Sequence, residues 1–113
     1  MKMTCVPGGV TAPLGFKAAG VNAEIKAGNK TKPDVAVIYS ETIAAVGGVF
    51  TQNLVKAAPV LLSQQVVAGG KAQAVVVNSG NANACTGEEG SETARLMADW
   101  AAELLHINKD YVL

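Results

Sequence analysis

The clearest alternation of apolar and polar positions predicts a strand, a loop and a helix in that order. The apolar run Ala74-Val75-Val76-Val77 is typical of a strand buried on both faces. The polar loop that follows, residues 78–85, contains Asn and Gly, which tolerate the positive φ of a sharp turn. Thr86 and Glu89 have the spacing of a capping box, and Asn108 is the predicted stop. Between them, apolar residues recur at helical spacing: Ala94, Met97, Ala98, Ala101, Leu104 and Leu105.

The rest of the pattern predicts shorter elements. Strands are predicted over residues 15–25, 35–39 and 42–50, and the last two are so close that a tight antiparallel hairpin is favoured. A further strand is predicted over Pro59 to Ser63 and a short helix over residues 64–68. Strands and helices together indicate an α/β (α+β) fold.

The sequence Asp110-Tyr111-Val112-Leu113 is typical of a strand that has just begun. An apolar strand without a partner would leave an exposed edge. We therefore expect residues 1–113 to be the N-terminal portion of a larger domain, truncated or cleaved at a strand start. A short terminal edge strand is the alternative.

Composition and charge restrict the class of protein. Half of the 113 residues are apolar, most of them Ala and Val, which predicts closely packed layers. Nine basic and nine acidic residues cancel, and no Lys/Arg cluster is visible, so nucleic-acid binding is not favoured. No apolar run approaches the roughly 18 residues of a membrane span, and a signal peptide is not apparent. A cytoplasmic protein is expected, with Cys5 and Cys85 reduced and buried.

A thiol nucleophile is the first candidate for chemistry. Cys85 lies beside a predicted helix N-terminus, which lowers a thiol pKa, but a nucleophile also needs a base. The only histidine is His106. A helix over residues 87–105 would hold the two about 28 Å apart, so they cannot form a pair within one chain.

Other site types fit no better. Neither common phosphate-binding glycine pattern occurs in residues 78–91, and one His with two distant Cys makes no metal ligand set. Carboxylates near the helix start are more often dipole partners than acid/base pairs, and Lys56 has the character of a solvated charge. These carboxylates are Glu88, Glu89 and Glu92. The chain therefore contains no complete catalytic constellation.

Three motifs, in order, nevertheless resemble one enzyme family. They are Gly9-Val10-Thr11-Ala12-Pro13 with Gly15 to Val21, Gly48 to Asn53 with Lys56 to Val60, and Val77-Asn78-Ser79-Gly80-Asn81-Ala82-Asn83-Ala84-Cys85-Thr86-Gly87. They are similar to segments of ornithine acetyltransferase, also called glutamate N-acetyltransferase, of arginine biosynthesis. The resemblance covers almost the whole chain.

The resemblance implies a layered α/β/β/α sandwich of the self-cleaving ornithine acetyltransferase or aminopeptidase/esterase type, incomplete in this chain. It also implies a precursor that cuts itself at an Ala-Thr bond. The freed threonine takes acetyl from N-acetylornithine and passes it to glutamate through an acyl-threonine. No cofactor is implied, although acetyl-CoA is a possible donor, and the expected assembly holds two copies of each segment.

The resemblance places the catalytic residues outside this chain. The nucleophilic threonine and the Thr-Gly pair of the oxyanion site are expected beyond Leu113, and no metal ligand is implied. The loop of residues 78–87 is expected to lie near the active site, with Asn78, Gly80, Asn81 and Asn83 as its candidate residues. Alternatively, this loop is a structural turn, and the chain is a self-sufficient α/β binding or assembly module without catalysis.

Overall fold

The computed structural model describes residues 3–113, which form one sheet and one layer of helices. Among these residues the sheet has three antiparallel strands and there are two α-helices. In chain order these elements are β1 (Phe16–Val21), β2 (Val35–Ala45), α1 (Ala58–Ala68), β3 (Lys71–Asn78) and α2 (Gly87–Leu105). Short 3-10 turns lie at Gly9–Thr11 and Lys109–Tyr111. The predicted α+β class is confirmed.

The middle strand of the sheet is β2, which pairs with β1 on one side and β3 on the other. The predicted hairpin within this strand is wrong, because the chain continues from Tyr39 to Ala44 without reversing. A shift in register between those two residues, in the pairing with β3, absorbs the irregularity. Ser40 lies opposite Phe16 of β1 and is buried, so the polar residues that suggested a turn are held in the sheet.

Helix α1 replaces a predicted strand. Residues 59–63 are helical, whereas the helix predicted for residues 64–68 is confirmed as the second half of α1. Pro59 lies in the first turn, where its missing N–H is not needed by the helix. A short apolar run does not distinguish a strand from a buried helix, which explains the error.

The core lies between β3 and α2 and is built from small side chains. It consists of Ala74, Ala98, Ala101, Ala102 and Val112, all at most 8% exposed. Such side chains let the helix approach the sheet closely, as the composition predicted. The predicted stripe is confirmed at Ala94, Ala98 and Ala101, but it is wrong at Leu104, which is 81% exposed. Leu105 packs against the cluster from its edge.

The segment after α2 turns back onto the sheet. His106 has a φ of 56° and ends the helix, whereas Asn108, the predicted stop, caps the next 3-10 turn by accepting from the Asp110 N–H. Leu113 then donates to the Ala74 carbonyl over 2.9 Å. Val112 forms a parallel bridge with Ala74 of β3, so the predicted pairing is confirmed there, but the predicted strand is wrong at Asp110 and Tyr111, which belong to the 3-10 turn. Along residues 3–113, none of the helices has the length and apolar character that crossing a membrane requires.

Candidate functional site

The loop between β3 and α2 is held in shape by its own hydrogen bonds. The side chain of Asn78 donates from Nδ2 to the carbonyl oxygen of Asn81 over 3.2 Å, which closes a four-residue turn. Gly80 lies inside this turn with a φ of 97°, a conformation that glycine tolerates, as the sharp turn expected in this loop requires. A side chain at Gly80 would also approach the Lys26 Cβ to 3.0 Å, so this position has both a conformational and a steric reason for glycine.

Asn83 fastens the loop to the first turn of α2. Its Nδ2 donates to the carbonyl oxygen of Gly90 over 2.7 Å, and its Oδ1 accepts from the Thr86 hydroxyl. The predicted capping box is therefore wrong, because the Thr86 side chain makes no cap hydrogen bond to the helix. A sequence pattern cannot show that this hydroxyl has a nearer acceptor in the preceding loop.

The four predicted site residues thus have different structural roles. The side-chain amides of Asn78 and Asn83 are engaged within the loop and at the helix start, whereas Asn81 is exposed. Gly80 shapes the backbone. The geometry leaves Asn81 as the member whose amide can donate to a ligand and accept from it.

The cysteines do not have the buried positions that the sequence predicted. Cys5 and Cys85 are both exposed, and Cys85 has a φ of 57°, a turn conformation rather than a packed one. His106 lies beyond the far end of the 19-residue α2, so the predicted separation from Cys85 is confirmed. Within residues 3–113, no three His, Cys, Asp or Glu side chains come together as a metal site. The three acidic residues at the helix start, Glu88, Glu89 and Glu92, are exposed.

Sequence reasoning missed Asp34, the buried carboxylate that organises the neighbouring loop. Only 5% exposed, it accepts from the N–H groups of Ala23 at 2.7 Å and Ile25 at 2.9 Å. Asn29 Nδ2 donates to the same carboxylate over 3.1 Å. The Asp34 carbonyl also accepts from the Ser79 N–H at 2.8 Å. This bond links the loop between β1 and β2 to the site loop, which joins β3 to α2. The only local signal is an Asp directly before a strand.

The hydrogen bonds to Asp34 favour its ionised form. The bond from the Ala23 N–H is the largest cause that holds the carboxyl pKa below its ordinary value of 3.8, and Asn29 and Ile25 act in the same direction, although burial opposes them. A depressed folded-state pKa stabilises the protein above the unfolded pKa. That stabilisation is lost as the pH falls through the folded value.

We therefore expect Asp34→Asn to flatten the acid limb of the stability curve. Urea unfolding of the complete protein from pH 6 to pH 3 should show the parent losing stability more steeply than the variant. Glu103→Gln, at an exposed position of α2, controls for the loss of one negative charge. Parallel curves for the parent and Asp34→Asn would contradict the assigned role.

Comparison with known proteins agrees with the resemblance to ornithine acetyltransferase. A model of the ArgJ family matches residues 17–113. The arginine biosynthesis bifunctional protein ArgJ of Caldanaerobacter subterraneus subsp. tengcongensis is 52% identical over 111 residues, which are 98% of this chain and 27% of that protein. The protein of the same name from Symbiobacterium thermophilum is 54% identical over 108 residues, 96% of this chain and 27% of that protein. The chain thus spans about a quarter of the length of these curated relatives.

Solved structures share the fold as well as the sequence. A crystal structure of ArgJ from Bacillus halodurans has a TM-score of 0.86 and 42% identity, covering 93% of this chain and 54% of that one. Ornithine acetyltransferase from Mycobacterium tuberculosis, complexed with ornithine, has a TM-score of 0.85 and 46% identity, covering 91% of this chain and 55% of that one. Because the family model matches most of its residues and these relatives share about half of them, the chain belongs to the ArgJ family.

Proposed function

We propose that this chain is the N-terminal part of an acetyltransferase that moves acetyl from N-acetylornithine to glutamate in arginine biosynthesis. The observation that carries this proposal is the likeness, at 46% identity, to an ornithine acetyltransferase solved with ornithine bound. Ornithine is what remains when N-acetylornithine gives up its acetyl group. In this proposal the reaction takes place in the cytoplasm and needs no cofactor, with acetyl-CoA as a possible second donor.

The proposed chemistry uses a threonine at the start of a separate segment. Its hydroxyl attacks the acetyl carbonyl, its α-amino group takes the proton, and the ornithine amine leaves with a proton. The amine of glutamate then attacks the acyl-threonine ester and N-acetylglutamate departs, which restores the free hydroxyl. Because this threonine supplies its own base, the reaction needs no thiol–histidine pair. That agrees with the positions of Cys85 and His106 at opposite ends of α2.

Chain lengths support a protein made of two segments. This chain spans 25% of the curated Mycobacterium tuberculosis ArgJ but 55% of the crystallised chain from the same organism. The crystallised chain is therefore about half as long as the curated protein. Self-cleavage into two pieces of similar length would give that ratio. The proposed partners of this chain are the remainder of its own segment and the second segment, with two copies of each.

In this proposal the chain contributes a wall of the active site. Its contribution is the loop of residues 78–87, which joins β3, the strand with which Leu113 pairs, to the first turn of α2. Fixed neutral donors next to the reacting carbonyl would hold the substrate without adding charge. The nucleophile and the donors of the oxyanion site are assigned to the other residues of the complete protein.

We expect residues 1–113 alone to transfer no acetyl from N-acetylornithine to glutamate, and the complete protein to do so as two polypeptides. Intact mass should reveal a second segment whose first residue is Thr, and turnover should require it. A single species near 11.5 kDa with no companion would favour an independent binding or assembly module instead. Turnover that scales with pure residues 1–113 would contradict the proposed division.

A further inference from the structure

Three lysines from one short loop lie around a single cavity. Lys26, Lys30 and Lys32 line a cavity of about 650 Å3 that also reaches Ser79 and Gly80 of the site loop. That volume lies within the range of about 300–1,000 Å3 common for small-molecule sites. The sequence predicted no cluster of basic residues, because their spacing of two to four positions in a short segment is unremarkable in a neutral chain.

The positive charge of this cavity is only partly neutralised by acidic neighbours. Among residues 3–113, the pair between Lys17 and Glu41 is the only ion pair, and it lies on the sheet away from the cavity. Asp34 is the one acidic residue that lines the cavity, and its carboxylate already accepts three hydrogen bonds from the loop. The lining therefore carries a net positive charge that an anion can satisfy.

The backbone that carries the lysines is held by hydrogen bonds. Asn29 donates from Nδ2 to the Lys32 carbonyl over 2.9 Å, and its Oδ1 accepts from the Lys32 N–H at 3.2 Å. The Asn29 N–H donates to the Lys26 carbonyl over 3.0 Å, and Asn22 Nδ2 donates to the Asn29 carbonyl over 3.0 Å. Together with Asp34, these bonds fix where the lysine side chains begin. A preorganised site loses less entropy when it binds a ligand.

We propose that this cavity binds a small molecule that bears a diphosphate group. Three lysines match the charge of a diphosphate better than that of a single carboxylate, and lysine is a frequent phosphate ligand because its ammonium is a compact point charge. Because Ser79 and Gly80 also line the cavity, an anion bound in it would lie beside the loop between β3 and α2. This binding does not depend on acetyl transfer, so either proposal can fail without the other.

Calorimetric titration of the complete protein with inorganic pyrophosphate at low ionic strength tests the site. We expect saturable binding of one pyrophosphate per copy of this chain, weakening as salt is added. The variant Lys26→Gln/Lys30→Gln/Lys32→Gln should bind at least tenfold more weakly. The matched variant Lys56→Gln/Lys71→Gln/Lys109→Gln removes the same charge elsewhere and should change the affinity by less than twofold.

Two further ligands test whether the cavity prefers a diphosphate to a carboxylate, and whether that diphosphate is free or part of a nucleotide. Citrate, a carboxylate of similar charge, should bind at least tenfold more weakly than pyrophosphate. ADP that binds more tightly than pyrophosphate would identify a nucleotide as the source, and ADP that binds equally or less tightly would identify free diphosphate. The proposal is overturned if pyrophosphate binding does not saturate, if both lysine variants lose affinity equally, or if citrate binds as tightly.

Discussion

Replacing Gly90 with alanine is expected to lower the free energy of unfolding by about 3 kcal/mol, the upper part of the range for an overpacked core position. Helix propensity alone predicts the opposite sign, since alanine is favoured over glycine by about 1 kcal/mol inside a helix. The structure decides between the two effects. A Cβ at this buried position would overlap the Thr86 hydroxyl and the Asn83 side-chain oxygen, both of which belong to the contact that joins the loop to α2.

Urea unfolding of the complete protein measures this effect, and two further variants identify its cause. Ser91→Ala changes the next residue of the helix, whose hydroxyl makes only a long hydrogen bond of 3.4 Å to the Gly87 carbonyl, and should shift stability by less than about 0.5 kcal/mol. Thr86→Gly removes two of the atoms that the new methyl group meets. Gly90→Ala should therefore cost less free energy of unfolding in the Thr86→Gly background than in the parent. If Gly90→Ala is as stable as the parent, the predicted overlap of a side chain at position 90 with Thr86 and Asn83 is wrong.

Substituting Asn81 is expected to reduce kcat/KM for acetyl transfer by roughly tenfold, which corresponds to about 1.4 kcal/mol of transition-state binding. The reason is that Asn81 is the exposed amide of a loop whose other two amides, those of Asn78 and Asn83, are engaged in internal hydrogen bonds. Its side chain can be removed without breaking any of them, so Asn81→Ala should melt at the temperature of the parent. This expectation depends on the proposed function, and steady-state kinetics of fully cleaved protein measures it.

Asn83→Ala provides the contrast. Asn83 was a candidate site residue like Asn81, but its hydrogen bond to the Gly90 carbonyl shifts the expected effect of the substitution from kcat/KM to stability. Loss of that bond should cost about 1 kcal/mol. Cys85→Ala, at an exposed position that was expected to be buried, should change neither quantity. The catalytic interpretation of the loop fails if Asn81→Ala matures normally and retains the kcat/KM of the parent.

The elements that sequence alone predicted correctly are those with long, local signals. The apolar run of β3 and the helical periodicity of α2 extend over enough residues to identify each element without knowledge of its neighbours. The side chains that both elements bring to the core are small, so the core is built from alanine and valine. Gly80 was also predictable, because a glycine between two polar turn residues has few other uses.

The errors arise where pairing or packing with distant residues decides the outcome. Ser40 and Glu41 have the polarity of a turn, yet they continue β2 because β1 lies alongside, with Phe16 opposite Ser40 and the Gly15 carbonyl accepting from the Glu41 N–H at 2.8 Å. The apolar segment after Pro59 is helical and contacts both α2 and β3. Asp34 could not be identified as a loop organiser, since its partners Ala23, Ile25 and Asn29 precede it by five to eleven positions and contribute mostly backbone groups.

The two edges of the sheet differ in whether they can accept another strand. On the outer edge of β3, Leu113 already donates to Ala74 and accepts from the Val76 N–H at 2.8 Å, so main-chain groups there are engaged in parallel pairing. The opposite edge is β1, where the exposed Lys17 is paired with Glu41 of β2. A charged lysine on an edge strand discourages the edge-to-edge contacts by which sheets from separate molecules aggregate. The edge at β3 is thus already extended by a parallel partner, whereas the edge at β1 carries a charge that opposes such contacts.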